Sequence, residues 1–189
     1  MSIPILDPNI TIWIDLLTWL CAIVAGLFTF WKWRVEMREN RAQRERELRW
    51  EKAKAAKEIL DEMLSNEATI EAMRMLDWDG LEYSLPSGKK VVISEPDYLR
   101  ALRIEDLNFT DVEVFIRDCF DGLFYYMSLI EHYLRSDLVQ IKDVQFPLDY
   151  YMKTINKNRA LFDRFLQYYR LTNASDFLKR LDLHLSTKK

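Results

Sequence analysis

The side chains able to do chemistry are few in this sequence, and they are scattered. His132, His184, Cys21 and Cys119 are its only histidines and cysteines. Neither histidine has a second histidine or a cysteine at ligand spacing, so both read as surface or helix-face residues. Cys119 falls in an apolar helical pattern and reads as a small core residue. Asp118 with Asp121, and Asp77 with Asp79, are neighbouring carboxylates. Acid–base work needs such groups held in a shared pocket with separated pKa values, and without that context they read as caps or surface groups. There is no glycine-rich phosphate loop, nucleophile elbow or H-E-x-x-H zinc signature. The expectation is a protein that is not an enzyme, with no catalytic residues, no metal and no cofactor.

Two sets of residues point instead to binding. Lys153, Lys157, Arg159, Arg164 and Arg170 interleave with Tyr150, Tyr151, Phe162, Phe165, Tyr168 and Tyr169. Cations set among aromatic rings suit an anionic or nucleotide-like ligand, with Lys153, Lys157, Arg159, Arg164, Tyr168 and Arg170 as its contacts. The default reading of the same stretch is a solvated helix face over aromatics that pack a core at helical spacing. The second set is a polar stripe. Thr11, Asp15, Thr18, Ala22, Ala25, Gly26 and Thr29 recur at spacings of three and four, hence on one face of a helix. Small and hydroxyl side chains let membrane helices approach closely. A carboxylate such as Asp15 costs about 2.5–3.5 kcal/mol at a bilayer centre and less near an interface. Either Asp15 reaches the outer headgroups, or helices pack through the stripe with Asp15 ringed around a wet axis.

The element that must carry this stripe is residues 10–33, ITIWIDLLTWLCAIVAGLFTFWKW, uncharged from position 16 to 31. As a helix it spans roughly 36 Å at about 1.5 Å per residue, enough for a hydrocarbon core of about 30 Å. Trp13 lies near one end and Trp31 and Trp33 at the other, as an aromatic belt requires. A cleaved signal peptide would want a basic start and a small-residue cleavage site, and neither is present. Beyond the span come Arg34, Arg38, Arg41, Arg44, Arg46, Arg49 and Lys52; before it there is no Lys or Arg. The positive-inside rule therefore places the tail outside and the C-terminal side in the cytoplasm, with the inner (cytoplasmic) membrane as the location. Arg34, Arg38 and Arg41 lie away from the stripe and suit lipid phosphates.

The chain then divides as 1–9, an extracytoplasmic tail; 10–33, the transmembrane helix; 34–64, a charged helical stalk; and 65–189, a cytoplasmic helical domain. The stalk lacks Gly and Pro and carries i, i+4 charge spacings such as Glu45 and Arg49. Four glycines and five prolines in 189 residues favour helices throughout. Ser65-Asn66 predicts a break and cap before a helix over 67–76. Residues 81–85 and 91–93, joined by Pro86-Ser87-Gly88-Lys89, predict a small β-hairpin. Ser94 with Asp97 caps a short helix to 102, and Thr110 with Glu113 forms a capping box for a helix to 134. A long helix from Pro147 to about 171 and a last one opened by Ser175 complete a mainly α fold. Two cysteines without framework spacing agree with a reduced compartment, and a net charge of −3 is too small to imply a polyanionic partner for the whole chain.

At Phe120-Asp121-Gly122-Leu123-Phe124-Tyr125-Tyr126, then Leu129-Ile130, Leu134, Leu138-Val139, Asp143-Val144 and Pro147-Leu148-Asp149-Tyr150-Tyr151, the chain resembles small bacterial membrane-anchored families of unknown function. In these, one N-terminal span and a charged stalk precede a helical domain of this rhythm, and the resemblance covers most of the chain. Some proteins of this layout are membrane effectors of anti-phage systems that oligomerise and open the membrane on a nucleotide signal. The resemblance implies an oligomeric effector or channel, gated by a ligand that the cytoplasmic domain senses, with lipids, other copies of itself and a nucleotide or protein signal as partners. The alternative is a membrane-tethered adaptor whose helical domain docks a protein.

Overall fold

The computed structural model describes residues 8–106 and 108–187, and among these it leaves out the side chains of 8–15, 22 and 23. The tail and the Thr11, Asp15 and Ala22 members of the stripe therefore lie outside the described side chains. The chain is mostly helical and falls into two compact units, Met1–Arg49 and Trp50–Lys189, with α1 (Pro8–Ser65) running through both.

The described part of the first unit, from Pro8, is helix alone. Its large apolar side chains, Leu16, Leu17, Trp19, Leu20, Leu27, Phe28 and Trp31 among them, are more than half exposed. This helix is long and apolar enough to cross a membrane. Beyond position 31 the side chains satisfy one another along the helix. Lys32 reaches Glu36 at 3.8 Å, and Gln43 donates to Glu47 at 2.9 Å. Glu45 and Arg49 differ from the expected charge pair: the Arg49 guanidinium donates to the Glu45 backbone carbonyl at 3.3 Å. Backbone carbonyls compete well for such donors, because an exposed ion pair is worth only about 0.3–0.5 kcal/mol.

In the second unit α1 becomes amphipathic, burying Ala56, Ile59 and Met63 at helical spacing. Asn66 accepts from the Thr69 amide at 3.0 Å and so starts α2 (Glu67–Asp77). The expected hairpin forms from β1 (Leu81–Ser84) and β2 (Lys90–Ile93), antiparallel with Leu81 opposite Ile93. Gly88, at φ 79°, supplies the positive φ its turn needs. The Ser94 amide donates to Asp97 at 3.0 Å at the head of α3 (Glu95–Ala101). The Thr110–Glu113 box opens α4 (Asp111–Arg135) as the sequence predicts, with Thr110 N–H to Glu113 at 2.9 Å.

The long penultimate helix is the main correction. It is two helices, α6 (Leu148–Lys157) and α7 (Arg159–Tyr168), after a single turn α5 (Ile141–Val144). The break is at Asn158, whose φ of −114° is not helical. Its side chain donates to Glu95 at 3.0 Å, and a side chain so engaged helps hold the backbone out of the helix. The last helix, α8 (Thr172–Ser186), starts three residues before Ser175. A Schellman motif sets that start: Arg170 sits at φ 56° and the Leu171 amide bonds back to Leu166 at 2.8 Å.

Helix α4 is the central element, packed between α2 and α8. Phe120 and Phe124 meet Phe162 and Phe165 of α7 at ring distances of 5.8–6.1 Å, and Phe177 of α8 is fully buried. These rings are core, as their spacing predicts. Gly122 lets the start of α2 come close: a Cβ there would lie 3.2 Å from that of Ala68. Buried charges are paired or capped. Glu131 is fully buried and accepts from Arg135 at 3.0 Å and from Arg180 at 2.8 and 3.0 Å, which ties α4 to α8. Arg117 donates to the Ala101 carbonyl at 2.6 Å and lies 4.1 Å from the Phe109 ring centre, so it closes the end of α3.

Candidate functional site

The Asn66 cap fixes the phase of α2. Glu67, Glu71 and Arg74 then follow at spacings of four and three on a face away from the core residues Thr69, Ala72, Met73 and Leu76. The hairpin lies alongside. Its alternation turns Glu82 and Ser84 outward and buries Tyr83, whose residual exposure is 3%. From α4 come Phe115, Asp118 and Cys119 at i, i+3 and i+4. Together these elements line a groove of about 670 Å³.

Its lining is mostly acidic, with Glu82 paired to Lys90 at 2.8 Å. Glu67, Glu71, Glu82 and Asp118 line it, against Arg74 alone. Arg74 donates to Glu71 Oε1 at 3.0 Å. The other carboxylate oxygen, Glu71 Oε2, is buried without a hydrogen-bond partner, and so is the Tyr83 hydroxyl. Burial, with the Glu71 charge added, pushes the Tyr83 hydroxyl up to about 12. Burial and the charges of Glu71, Asp118 and Glu67 also push Cys119 up to about 12. At neutral pH both are therefore protonated: Cys119 is no nucleophile, and Tyr83 offers a neutral hydroxyl. No group of three or more His, Cys, Asp or Glu able to hold a metal occurs among the described residues.

The predicted anion contacts are spread along α6, α7 and the turn after them. Lys153 and Lys157 share a cleft of about 400 Å³ with Leu76, Asp77, Tyr150 and Thr154. Arg159, Arg164, Tyr168 and Arg170 are not in its lining. Lys157 bonds Glu95 at 2.8 Å, Arg159 bonds Asp163 at 2.9 Å, and Arg164 pairs with Glu105. Tyr168 stands edge-on to Tyr169, 4.9 Å between centres. Arg34, Arg38 and Arg41 do come together: with Trp33 and Met37 they line one notch of about 340 Å³. Of the stripe, Thr29 donates its hydroxyl to its own helix at Ala25 O, 2.8 Å away, and Gly26 faces open space.

Sequence reading missed Glu67, Glu71, Tyr83 and Phe115 as a site, and it placed Asp118 and Cys119 as surface and core. One signal was available: Tyr83 sits in a predicted strand with Glu82 and Ser84, so alternation alone aims it inward. The other neighbouring carboxylates, Asp77 and Asp79, have structural uses. Asp79 accepts from the Glu95 amide at the start of α3, 2.9 Å away, and Asp77 accepts from the Tyr150 hydroxyl.

No protein-family model, curated protein or solved structure matches this chain.

Proposed function

We propose that this chain is a single-pass membrane effector. The α1 span sits in the bacterial inner membrane, the helical domain faces the cytoplasm, and copies of the chain associate through the span to form a ligand-gated assembly of anti-phage defence. The observation that carries the reading is the apolar run from Leu16 to Trp31, whose described side chains find no protein cover although the neighbouring unit buries Phe120, Phe124, Phe162, Phe165 and Phe177 completely. Such a surface belongs in lipid or against other spans. The exposed arginine notch that follows suits phosphate headgroups on the positive side of a membrane. The open space beside Gly26 supports close helix approach, and Thr29, already bonded to its own helix, can enter such a contact at no cost in unpaired groups.

A membrane-tethered adaptor is the second reading. It is favoured by a cleft of about 740 Å³ lined by Phe146, Tyr150, Met152 and Leu185, with Phe146 and Tyr150 strongly exposed. Light scattering of the full-length protein in mild detergent separates the two. An effector gives a discrete closed oligomer that Gly26→Leu or Asp15→Leu dissociates, and it releases dye from liposomes. A monomer at every concentration removes the effector and leaves the tether. Failure to float with liposomes removes both.

A further inference from the structure

The lysines of α1 find carboxylates: Lys32, Lys52, Lys54 and Lys57 reach theirs at 2.7–3.8 Å. Arg34, Arg38 and Arg41 reach none, and among the described residues their guanidinium groups have no hydrogen-bond partner. At about 100° per residue the three fall within an arc of about 60°. Glu36 and Glu39, the acids at the same level of the helix, fall on the opposite side. The notch that the three arginines line with Trp33 and Met37 therefore holds three positive charges and no carboxylate.

We propose that this notch is a selective site for the headgroup of an anionic phospholipid, and that it discriminates against zwitterionic lipids. Depth identifies the ligand as lipid. Arg34 lies about 4.5 Å beyond Trp31 along the helix and Arg38 about 10 Å, against a headgroup layer of about 5–8 Å per leaflet. Helical side chains lean toward the N-terminus, which here is toward the span, so Arg38 and Arg41 reach back to the phosphate level. Guanidinium groups pair with phosphate oxygens two at a time, and three on one face surround a headgroup. Trp33 and Met37 give the apolar wall for the glycerol and the first methylenes. Selectivity follows from what the lining lacks. A phosphocholine brings its own ammonium among three guanidinium groups, with no carboxylate to receive it. A headgroup with net negative charge meets no such penalty. This selectivity rests on α1 crossing the membrane as proposed above, and it turns a general attraction to headgroups into a site on one face of one helix.

The test is native mass spectrometry of the full-length protein in mild detergent, titrated with phosphatidylglycerol or phosphatidylcholine. Phosphatidylglycerol should be retained saturably and at least about tenfold more tightly than phosphatidylcholine. Arg38→Gln should weaken it by about fivefold. The decisive variant is Arg38→Gln with Asn40→Arg, which keeps the net charge and nearly the same depth but moves one guanidinium to the opposite face. It should bind as weakly as Arg38→Gln alone. Both changes lie on an exposed helix, so neither threatens the fold. Equal retention of the two lipids overturns the proposal. So does wild-type affinity in the relocated variant, which would reduce the notch to diffuse positive charge. Displacement of phosphatidylglycerol by inorganic phosphate at about 10 mM also overturns it, since the site would then be one for free anions. Flotation with vesicles of phosphatidylcholine alone scores the membrane reading separately. Flotation without lipid preference leaves that reading and removes the notch; preference without flotation does the reverse.

Discussion

Two sets of large apolar side chains in this chain meet opposite fates. Trp19 is 73% exposed and Leu20 57%, whereas Phe120, Phe124, Phe162, Phe165 and Phe177 are wholly buried. The difference lies in arrangement. Between positions 16 and 31 bulky residues occur around most of the helix, so no single protein face could cover them. From Ala56 to Met63 the same helix confines its buried residues to one stripe, and the rest of its circumference is polar. The two segments thus differ both in charge content and in the angular width of the apolar face, and the width decides whether one protein face can cover it. The fully wrapped stretch is long and apolar enough to cross a membrane, and the striped stretch packs into the protein core.

The largest expected effect tests that contrast directly. Phe124→Ala should cost about 3–5 kcal/mol in denaturant unfolding of the domain, since the ring meets Phe120, Phe162 and Phe165 and leaves a cavity. Leu20→Ala should change the same transition by less than about 0.5 kcal/mol, because its side chain packs on no protein. Equal effects would mean that the exposed ladder is part of the folded core, and the comparison would collapse.

Ion pairs sharpen it at the next scale. Arg180→Ala strips two bonds from Glu131, a carboxylate with no exposure, and should cost about 3 kcal/mol. Glu131→Leu, which removes the buried charge itself and leaves Arg135 and Arg180 half-exposed, should cost less. The exposed pair Lys32–Glu36 should give less than about 0.5 kcal/mol in a double-mutant cycle on helix content. A cost for Glu131→Leu above that of Arg180→Ala would show that the triad contributes through attraction rather than through the penalty of stranding a charge.

Acid titration gives a third contrast. Hydrogen bonds from Arg103, and from the Thr110 amide, hold Glu113 at about 2, well below its ordinary value. A carboxyl depressed in the folded state stabilises the fold above the unfolded value of about 4.5, and that contribution is lost as pH falls through the folded value. Unfolding followed from pH 6 to pH 2 should therefore show stability falling below about pH 4.5, and Glu113→Gln should flatten part of the fall. An unchanged slope in the variant would assign the acid sensitivity to other carboxylates.

Much of this fold is legible in the sequence because it rests on local signals. The Thr110–Glu113 box, the Asn66 cap and the Gly88 turn are written in neighbouring residues and fall where they are expected. The break at Asn158 is hidden by phase. Leu148, Met152 and Ile155 of α6 and Phe162, Phe165 and Leu166 of α7 lie at spacings a single helix would also produce, with seven residues from Ile155 to Phe162. What parts them is a contact with Glu95, sixty-three positions away, and periodicity carries no information about such a partner. The groove escapes for the same reason. Its acids come from α2, β1 and α4, and only Asp118 stood out in sequence, beside the wrong partner, Asp121.

A stabilising effect is expected at a residue that the sequence assigned to ligand binding and the fold uses as a stop. Arg170 holds φ 56° at the end of α7, a left-handed conformation that strains any side chain with a Cβ. Arg170→Gly should therefore raise stability by about 0.5–1 kcal/mol, read as a higher denaturant midpoint with unchanged slope. The same variant removes one cation from the set running from Lys153 to Arg170, so it also separates two uses of one position. If it stabilises the domain and leaves any affinity for a nucleotide intact, Arg170 serves the chain reversal into α8 and nothing else. If it stabilises and weakens nucleotide binding, the fold has kept a strained arginine where glycine would suffice, and the strain marks a binding contact. A fall in stability would show that the Arg170 side chain contributes more than its backbone costs.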